Sequence, residues 1–418
     1  MLKSRTLLSS IRNHLKEKAF TIISGARQVG KTSLLRILYT ELKDRGESVY
    51  YLSFEDLRIL EAINQHPEKV FDFTASKPSP ILEKLDDKRV FLLIDEVQYA
   101  KNPTNFLKYL YDTYDENLKV VCTGSSAFYI DRDFKDSLAG RKRVFTLNPL
   151  SFYEMLSFRE ADALIGELKL MNARDGYTSL YLPDLQRYFY QYLVYGGYPA
   201  VVLEEDEKGK EFLLNELKNA YVKRDLMESG VSMESKFYLL FQLLADQLGN
   251  LLNKHELAKT VQVDNKTIDN YLYVLEKCFH IQLVKPFFRN VRKELTKMPK
   301  VFFNDSGLRN SLLNRFGPVD LRSDKGALLE QYYFSQLRTL YQSDQLKFWR
   351  TADGNEIDFI VEEQFNAGKA IEVKWDPVNF KPSRYKKFTE AYPGFQLLCW
   401  SEKDFWKVAL ENGFPPMA

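Results

Sequence analysis

Eight residues near one end of the chain, Gly25-Ala26-Arg27-Gln28-Val29-Gly30-Lys31-Thr32, constrain its fold more than any other segment. Two glycines bracket a stretch where the main chain can come close to an anion, and the backbone from Gly25 to Ser33 then offers N–H groups at the start of a helix. Lys31 would supply a point charge to the outer phosphates of a triphosphate, and the Thr32 hydroxyl a ligand for Mg²⁺. The segment needs a strand before it and a helix after it. Residues 21–24 are β-rich, and Leu34, Leu35, Leu38 and Leu42 mark one face of a following helix. ATP with Mg²⁺ is the expected ligand.

The first 150 residues alternate β-rich runs (21–24, 49–54, 90–94, 120–123 and 144–147) with helical patterns, which implies a parallel α/β sheet. Val90-Phe91-Leu92-Leu93-Ile94 is apolar without alternation, as in a strand covered on both faces. It ends in Asp95-Glu96, which pairs an acid for the metal, Asp95, with one that can polarise the attacking water, Glu96. Gly124-Ser125-Ser126 follows the next strand, where Ser125 could sense the γ-phosphate or make an ordinary turn. Arg141, in Leu138-Ala139-Gly140-Arg141, reads either as a finger reaching a neighbouring subunit's site or as part of a solvated basic turn.

A hydrophobic fraction of 45% and a formal charge of +2 describe an ordinary globular chain, so charge can point to a partner only through local clusters. Cys122, Cys278 and Cys399 show no pairing pattern, and no apolar run is long enough to span a bilayer. The expectation is a cytoplasmic protein with reduced thiols and no membrane insertion.

Residues 151–237 read as a helical lid or connector, interrupted at Tyr195-Gly196-Gly197-Tyr198-Pro199. Residues 238–316 read as a helix-turn-helix with a wing. Asn253 and Asp264 are the expected caps of its two helices, and Lys266, Thr267 and Asn270 lie on the outer side of the second, where a recognition helix meets DNA. The next segment sets Lys285, Arg289, Arg292, Lys293, Lys297 and Lys300 against Glu294, six basic residues and one acid, for a local charge of +5. Such a cluster suits phosphate contacts, with a solvated loop as the alternative.

Residues 317–418 form a further small α/β region. Two alternating strands, 356–363 and 369–375, put Asp358, Glu372 and Lys374 on one face if a short turn pairs Glu363 with Lys369. Two carboxylates and an ammonium so placed can hold Mg²⁺ and act on a scissile phosphate, or can simply form a surface ion pair.

The order of Gly-Ala-Arg-Gln-Val-Gly-Lys-Thr, Leu-Leu-Ile-Asp-Glu-Val-Gln, Thr-Gly-Ser-Ser and Leu-Ala-Gly-Arg resembles the prokaryotic AAA-type ATPases that carry an uncharacterised C-terminal domain. The resemblance continues through Tyr-Gly-Gly-Tyr-Pro-Ala to Gly-Asn-Glu-Ile-Asp-Phe and Ile-Glu-Val-Lys. It implies an additional-strand P-loop sheet in residues 1–150, then the helical connector, a winged helix and a restriction-endonuclease-like domain. The Asp358, Glu372 and Lys374 pattern is similar to the D…ExK core of that nuclease superfamily, in which Glu330 corresponds to a helical metal ligand; Ile357 stands where the motif has proline. The resemblance implies no particular substrate; together with the basic cluster and the carboxylate cluster, the residues lead to the expectation of ATP hydrolysis in a homo-oligomer, a ring being one form, coupled to the binding or metal-dependent cutting of DNA. The alternatives are a nucleotide-switched protein that binds DNA or protein through an inactive nuclease fold, and an ATPase acting on proteins.

Overall fold

The computed structural model describes residues 2–80, 89–124, 138, 140–174, 176–229, 233–289, 294 and 297–408. Ser125, Arg292 and Lys293 lie outside them. The chain divides into two compact units, Met1–Asn148 with Lys277–Phe279, and Pro149–Glu276 with His280–Ala418.

In the first unit the apolar runs become strands β1 (Phe20–Ser24), β2 (Ser48–Ser53), β3 (Val90–Asp95), β4 (Leu118–Gly124) and β5 (Lys142–Thr146). They lie in the order β2-β3-β4-β1-β5, each neighbouring pair parallel. Strand β4 therefore separates the strand that leads into the phosphate loop from the one that ends in Asp95, which is the additional-strand arrangement. Every residue of β1, β3 and β4 is buried, which explains why their sequences do not alternate. One face packs Phe20, Ile22, Leu92, Ile94, Val120 and Cys122 with Phe106, Leu107 and Leu110 of the helix Pro103–Tyr114. Helix Lys31–Asp44 buries Leu34, Leu35, Leu38 and Leu42, each worth roughly 1.5–3 kcal/mol of burial.

The second unit begins with helices, and the paired glycines are where two of its segments meet. Helix Leu182–Tyr195 stops at Gly196, and Pro199 opens the next. A Cβ on Gly197 would stand 2.2 Å from the Leu150 carbonyl oxygen, and one on Gly196 would meet the Asp305 carboxylate. Asp305 accepts from the Gly197 N–H at 2.7 Å and from the Leu308 N–H at 2.8 Å, so one buried carboxylate joins the glycine turn to the start of helix Ser306–Leu313.

Strands β6 (Ile281–Pro286) and β7 (Lys300–Phe303) pair antiparallel, where the sequence suggests a wing. They also continue a larger sheet, β11-β10-β9-β8-β6-β7, because β6 lies parallel to β8 (Leu346–Arg350). The remaining strands are β9 (Glu356–Gln364), β10 (Ala367–Lys374) and β11 (Phe395–Ser401), with β9 antiparallel to both neighbours and β11 parallel to β10. β8 and β11 have no counterpart in the sequence reading. With helices Lys325–Leu340 and Lys386–Ala391 these strands run helix, three antiparallel strands, helix, parallel strand.

The hairpin register differs from the expected one. Lys369 pairs with Val361 rather than Glu363, and a bulge falls between Ala367 and Gly368. The turn shortens to Phe365-Asn366, with Asn366 at φ +59°. A shift of two residues preserves which face each side chain occupies. It moves Glu372, not Lys374, opposite Asp358.

Candidate functional site

The helix after the phosphate loop starts at Lys31, and its cap, Gly30, at φ +100°, offers no side chain to the first-turn N–H groups. They are left for an anion. Gly25 is required for a different reason: a Cβ there would stand 2.2 Å from the Leu147 carbonyl oxygen. Buried Arg5 braces the loop from behind, donating to the carbonyls of Val29 and Asn148 at 2.8 Å each. Ala26 and Val29 are buried, Arg27 and Ser33 half-buried, and Gln28 exposed at φ +56°. The Lys31 ammonium rests on the carbonyls of Gly25 and Ala26 at 3.0 and 2.8 Å.

Asp95, at the end of β3, is buried and faces the start of that helix. Thr32 donates to its Oδ2 at 2.8 Å, Tyr51 donates to the same oxygen at 2.9 Å, and Thr123 donates to Oδ1. Burial first, and Asp95 second, push the Tyr51 phenol up to about 12, so it stays a donor. Thr123 also accepts from the Glu96 N–H at 3.0 Å, so one hydroxyl on the neighbouring strand β4 holds both acids. Glu96 itself sits at φ +58°, a sparsely populated backbone region for a side chain of its size, and Gln98 donates to its carboxylate. Tyr51, Thr123 and Arg5 were missed in the sequence reading; Thr123, the last residue before Gly124-Ser125, was the detectable one.

Arg141 does not reach the phosphate loop of its own chain. Its carbonyl accepts from the Phe20 N–H at the opposite end of β1, and its guanidinium pairs with Asp112 at 2.9 Å.

In the second unit Glu330, Asp358, Glu372 and Lys374 do converge, together with Glu356 from the same face of β9 and with Lys300 and Arg350, which the sequence reading had not placed there. Lys300, 2% exposed, enters from β7, and its ammonium contacts Glu356, Asp358 at 3.2 Å and Glu330 at 3.8 Å. The Phe348 ring lies 5.6 Å below it. Asp358 also accepts from the Val373 N–H at 2.9 Å, Lys374 pairs with Glu372, and Arg350 holds Glu356 at 2.5 Å. Burial, reinforced by the Asp358 charge, pushes Glu330 up to about 8 and Glu372 up to about 7. The donor set does not fit a divalent cation, because an ammonium stands among the carboxylates that would bind it. Among the described residues no group of three or more His, Cys, Asp or Glu side chains is disposed to hold a metal ion.

Lys300 therefore drops out of the basic cluster expected to face DNA. Lys285, Lys297 and Arg289 are exposed, although Arg289 stacks on Tyr392 at 5.1 Å and donates to the Ala391 carbonyl at 3.0 Å. Glu294 pairs with Lys347 at 2.7 Å. Asn253 caps helix Lys254–Val261, and Asp264 accepts from the Thr267 N–H at 2.6 Å at the start of helix Asn265–Lys277. Lys266 and Asn270 are exposed and Thr267 half-buried, while Ile268, Leu272 and Leu275 are buried. The cysteines are free, Cys122 and Cys278 buried and Cys399 half-buried, and no described helix is long and apolar enough to cross a membrane.

Three family models match parts of the chain: an AAA domain over residues 17–156, a domain of unknown function (DUF8612) over 186–318 and another (DUF4143) over 325–406. An uncharacterized protein of Haemophilus influenzae is 28% identical over 372 residues, covering 86% of this chain and 82% of that protein. One from Methanocaldococcus jannaschii is 27% identical over 325 residues, covering 75% of this chain and 66% of its own length. Among solved structures, ADP-form ORC2 of Aeropyrum pernix aligns with a TM-score of 0.36 and 12% identity over 74% of this chain and 91% of that one. AMPPCP-bound DnaA of Aquifex aeolicus aligns at 0.29 and 14% over 64% and 86%. At those scores the structural likenesses decide nothing, and the assignment rests on the family match together with strand order and loop geometry. Residues 17–156 are a P-loop domain of the AAA ATPase type.

Proposed function

We propose that the first unit binds and hydrolyses ATP and that the second unit delivers the resulting motion to DNA. The observation that carries the first half is the 2.8 Å hydrogen bond from Thr32 to Asp95, which sets two hard oxygen donors side by side at the start of the phosphate-loop helix. That pair fits Mg²⁺. Bound there with the nucleotide, the ion would neutralise phosphate oxygens. Lys31, on a flexible stem, turns from the loop carbonyls to the outer phosphates, and the first-turn N–H groups hold the remaining oxygens. Glu96 takes the proton of the attacking water, kept in position by Gln98 and by its N–H on Thr123.

The DNA half is supported by the exposed outer face of helix Asn265–Lys277, carrying Lys266, Thr267 and Asn270, and by the basic segment that includes Arg289, Arg292 and Lys293. The run of helix, antiparallel strands and parallel strand around Asp358 supports reading this region as a restriction-endonuclease-like fold, serving here as a binding module. AAA-type sites commonly form between subunits, so an oligomer, a ring among the possible forms, is part of this reading, with Arg141 offered to a neighbour.

ATP turnover measured with and without duplex DNA tests both halves. Turnover rises with DNA in the wild type, and Glu96→Gln lowers it about 10²- to 10⁴-fold while nucleotide binding persists. Lys266→Glu removes the DNA response alone. A wild type whose turnover ignores DNA refutes the second half and leaves the first standing.

A further inference from the structure

We infer that the Lys300 ammonium is the built-in cation of the C-terminal cluster and takes the place of a divalent metal, making the D…E-x-K constellation an internally neutralised core rather than a metal-dependent phosphodiesterase centre. The inference rests on reading this region as a nuclease-like fold and holds whether or not the first unit hydrolyses ATP.

Three features carry it. The first is placement. An ammonium has three N–H donors, and Lys300 faces three carboxylates, Glu356 and Asp358 from β9 and Glu330 from the helix Lys325–Leu340. Glu330 and Asp358 are two of the acids that would hold Mg²⁺. A Mg²⁺ ion needs carboxylate oxygens at about 2.0–2.1 Å, and the same oxygens cannot serve it and a buried ammonium together.

The second is anchorage. Lys300 pairs with Val284 on one side and bridges to Leu251 on the other, and the neighbouring backbone adds Leu252 N–H to Pro299 carbonyl at 2.8 Å and Gly249 N–H to Val301 carbonyl at 2.9 Å. With its main chain held from both sides, the Phe348 ring beneath and the side chain buried, no movement of the backbone carries the ammonium out of the cluster. Gly249, at φ +73°, permits the close packing, since a Cβ there would stand 2.9 Å from a Glu330 carboxylate oxygen.

The third is charge. Glu330, Glu356, Asp358 and Glu372 face Lys300, Lys374 and Arg350, four acids against three bases. Left unpaired, the buried carboxylates of Asp358 and Glu372 and the half-buried ones of Glu330 and Glu356 would be costly, and the lysine offsets much of that cost without a metal.

Mn²⁺ binding to the nucleotide-free full chain, followed by electron paramagnetic resonance, tests the inference. Wild type and Asp358→Asn should bind the same amount of Mn²⁺. Lys300→Met should bind one more ion per chain, Lys300→Met with Asp358→Asn should lose it, and Lys300→Arg should gain none. A folded Lys300→Met with no added site overturns the inference, as does a wild type that loses Mn²⁺ on Asp358→Asn. If Lys300→Met does not fold, as circular dichroism would show, the wild-type and Asp358→Asn pair still decides. Mn²⁺-dependent DNA cleavage by the wild type, abolished in Asp358→Asn, would refute the built-in cation and leave the nuclease-like reading intact.

Discussion

The phosphate loop and the C-terminal cluster each place a buried lysine and a buried aspartate near the end of a strand, yet they treat the acid in opposite ways. Asp95 receives three hydroxyls, from Thr32, Tyr51 and Thr123, while Lys31 rests on loop carbonyls. Asp358 receives the Lys300 ammonium and a main-chain N–H. Hydroxyls satisfy a carboxylate without neutralising it, so Asp95 keeps its attraction for a cation. An ammonium neutralises as it binds. The type of donor, more than the presence of acids, separates a metal site from a structural ion pair.

The largest test of this contrast is stability. Lys300→Met should lower the unfolding free energy by about 3–5 kcal/mol in denaturant titrations, because it strands buried carboxylates, while Lys31→Met should cost less than half as much. Equal losses would break the comparison. A smaller effect should appear with pH. Burial raises Glu330 above its unfolded value to about 8, so between roughly pH 5 and 8 the folded chain holds a proton that the unfolded chain has released. Stability present at the acid end is then lost as pH rises, by up to about 1.4 kcal/mol per pH unit for one proton. Glu330→Gln should flatten that slope in thermal melts; an unchanged slope would move the proton elsewhere. The smallest effect concerns Tyr51→Phe, which removes one of the hydroxyls on Asp95. It should raise the Mg²⁺ needed for half-maximal ATP turnover roughly 3- to 10-fold, in line with about 1 kcal/mol for a hydrogen bond, and no change would mean that Thr32 and Thr123 suffice.

Much of the first unit was legible because its signals are local. A continuous apolar run, two glycines and a following row of leucines each depend on neighbours in sequence, and β1 to β5 formed close to where such runs lie. The two acids that follow Ile94 were visible for the same reason. What could not be read was the set of groups meeting them from other strands. Tyr51 and Thr123 become partners of Asp95 only when β2, β3 and β4 stack in register.

In the second unit the hairpin periodicity identified the faces of β9 and β10, since alternation survives a two-residue shift, but the register was set by the bulge and the two-residue turn. Lys300 shows the limit most plainly. In sequence it closes a run of basic residues, and charge counting assigns it to solvent and DNA. In space it starts β7, whose pairing with β6 aims its side chain at Asp358, 58 positions away along the chain.

The amino-acid sequence by itself determined the P-loop sheet, the order of its motifs and the faces of the C-terminal hairpin, because glycine conformation, hydrophobic period and strand alternation act over a few residues. Only the tertiary structure decided which cation each acid meets. That choice depends on long-range strand pairing, which brings together charges that no local pattern relates.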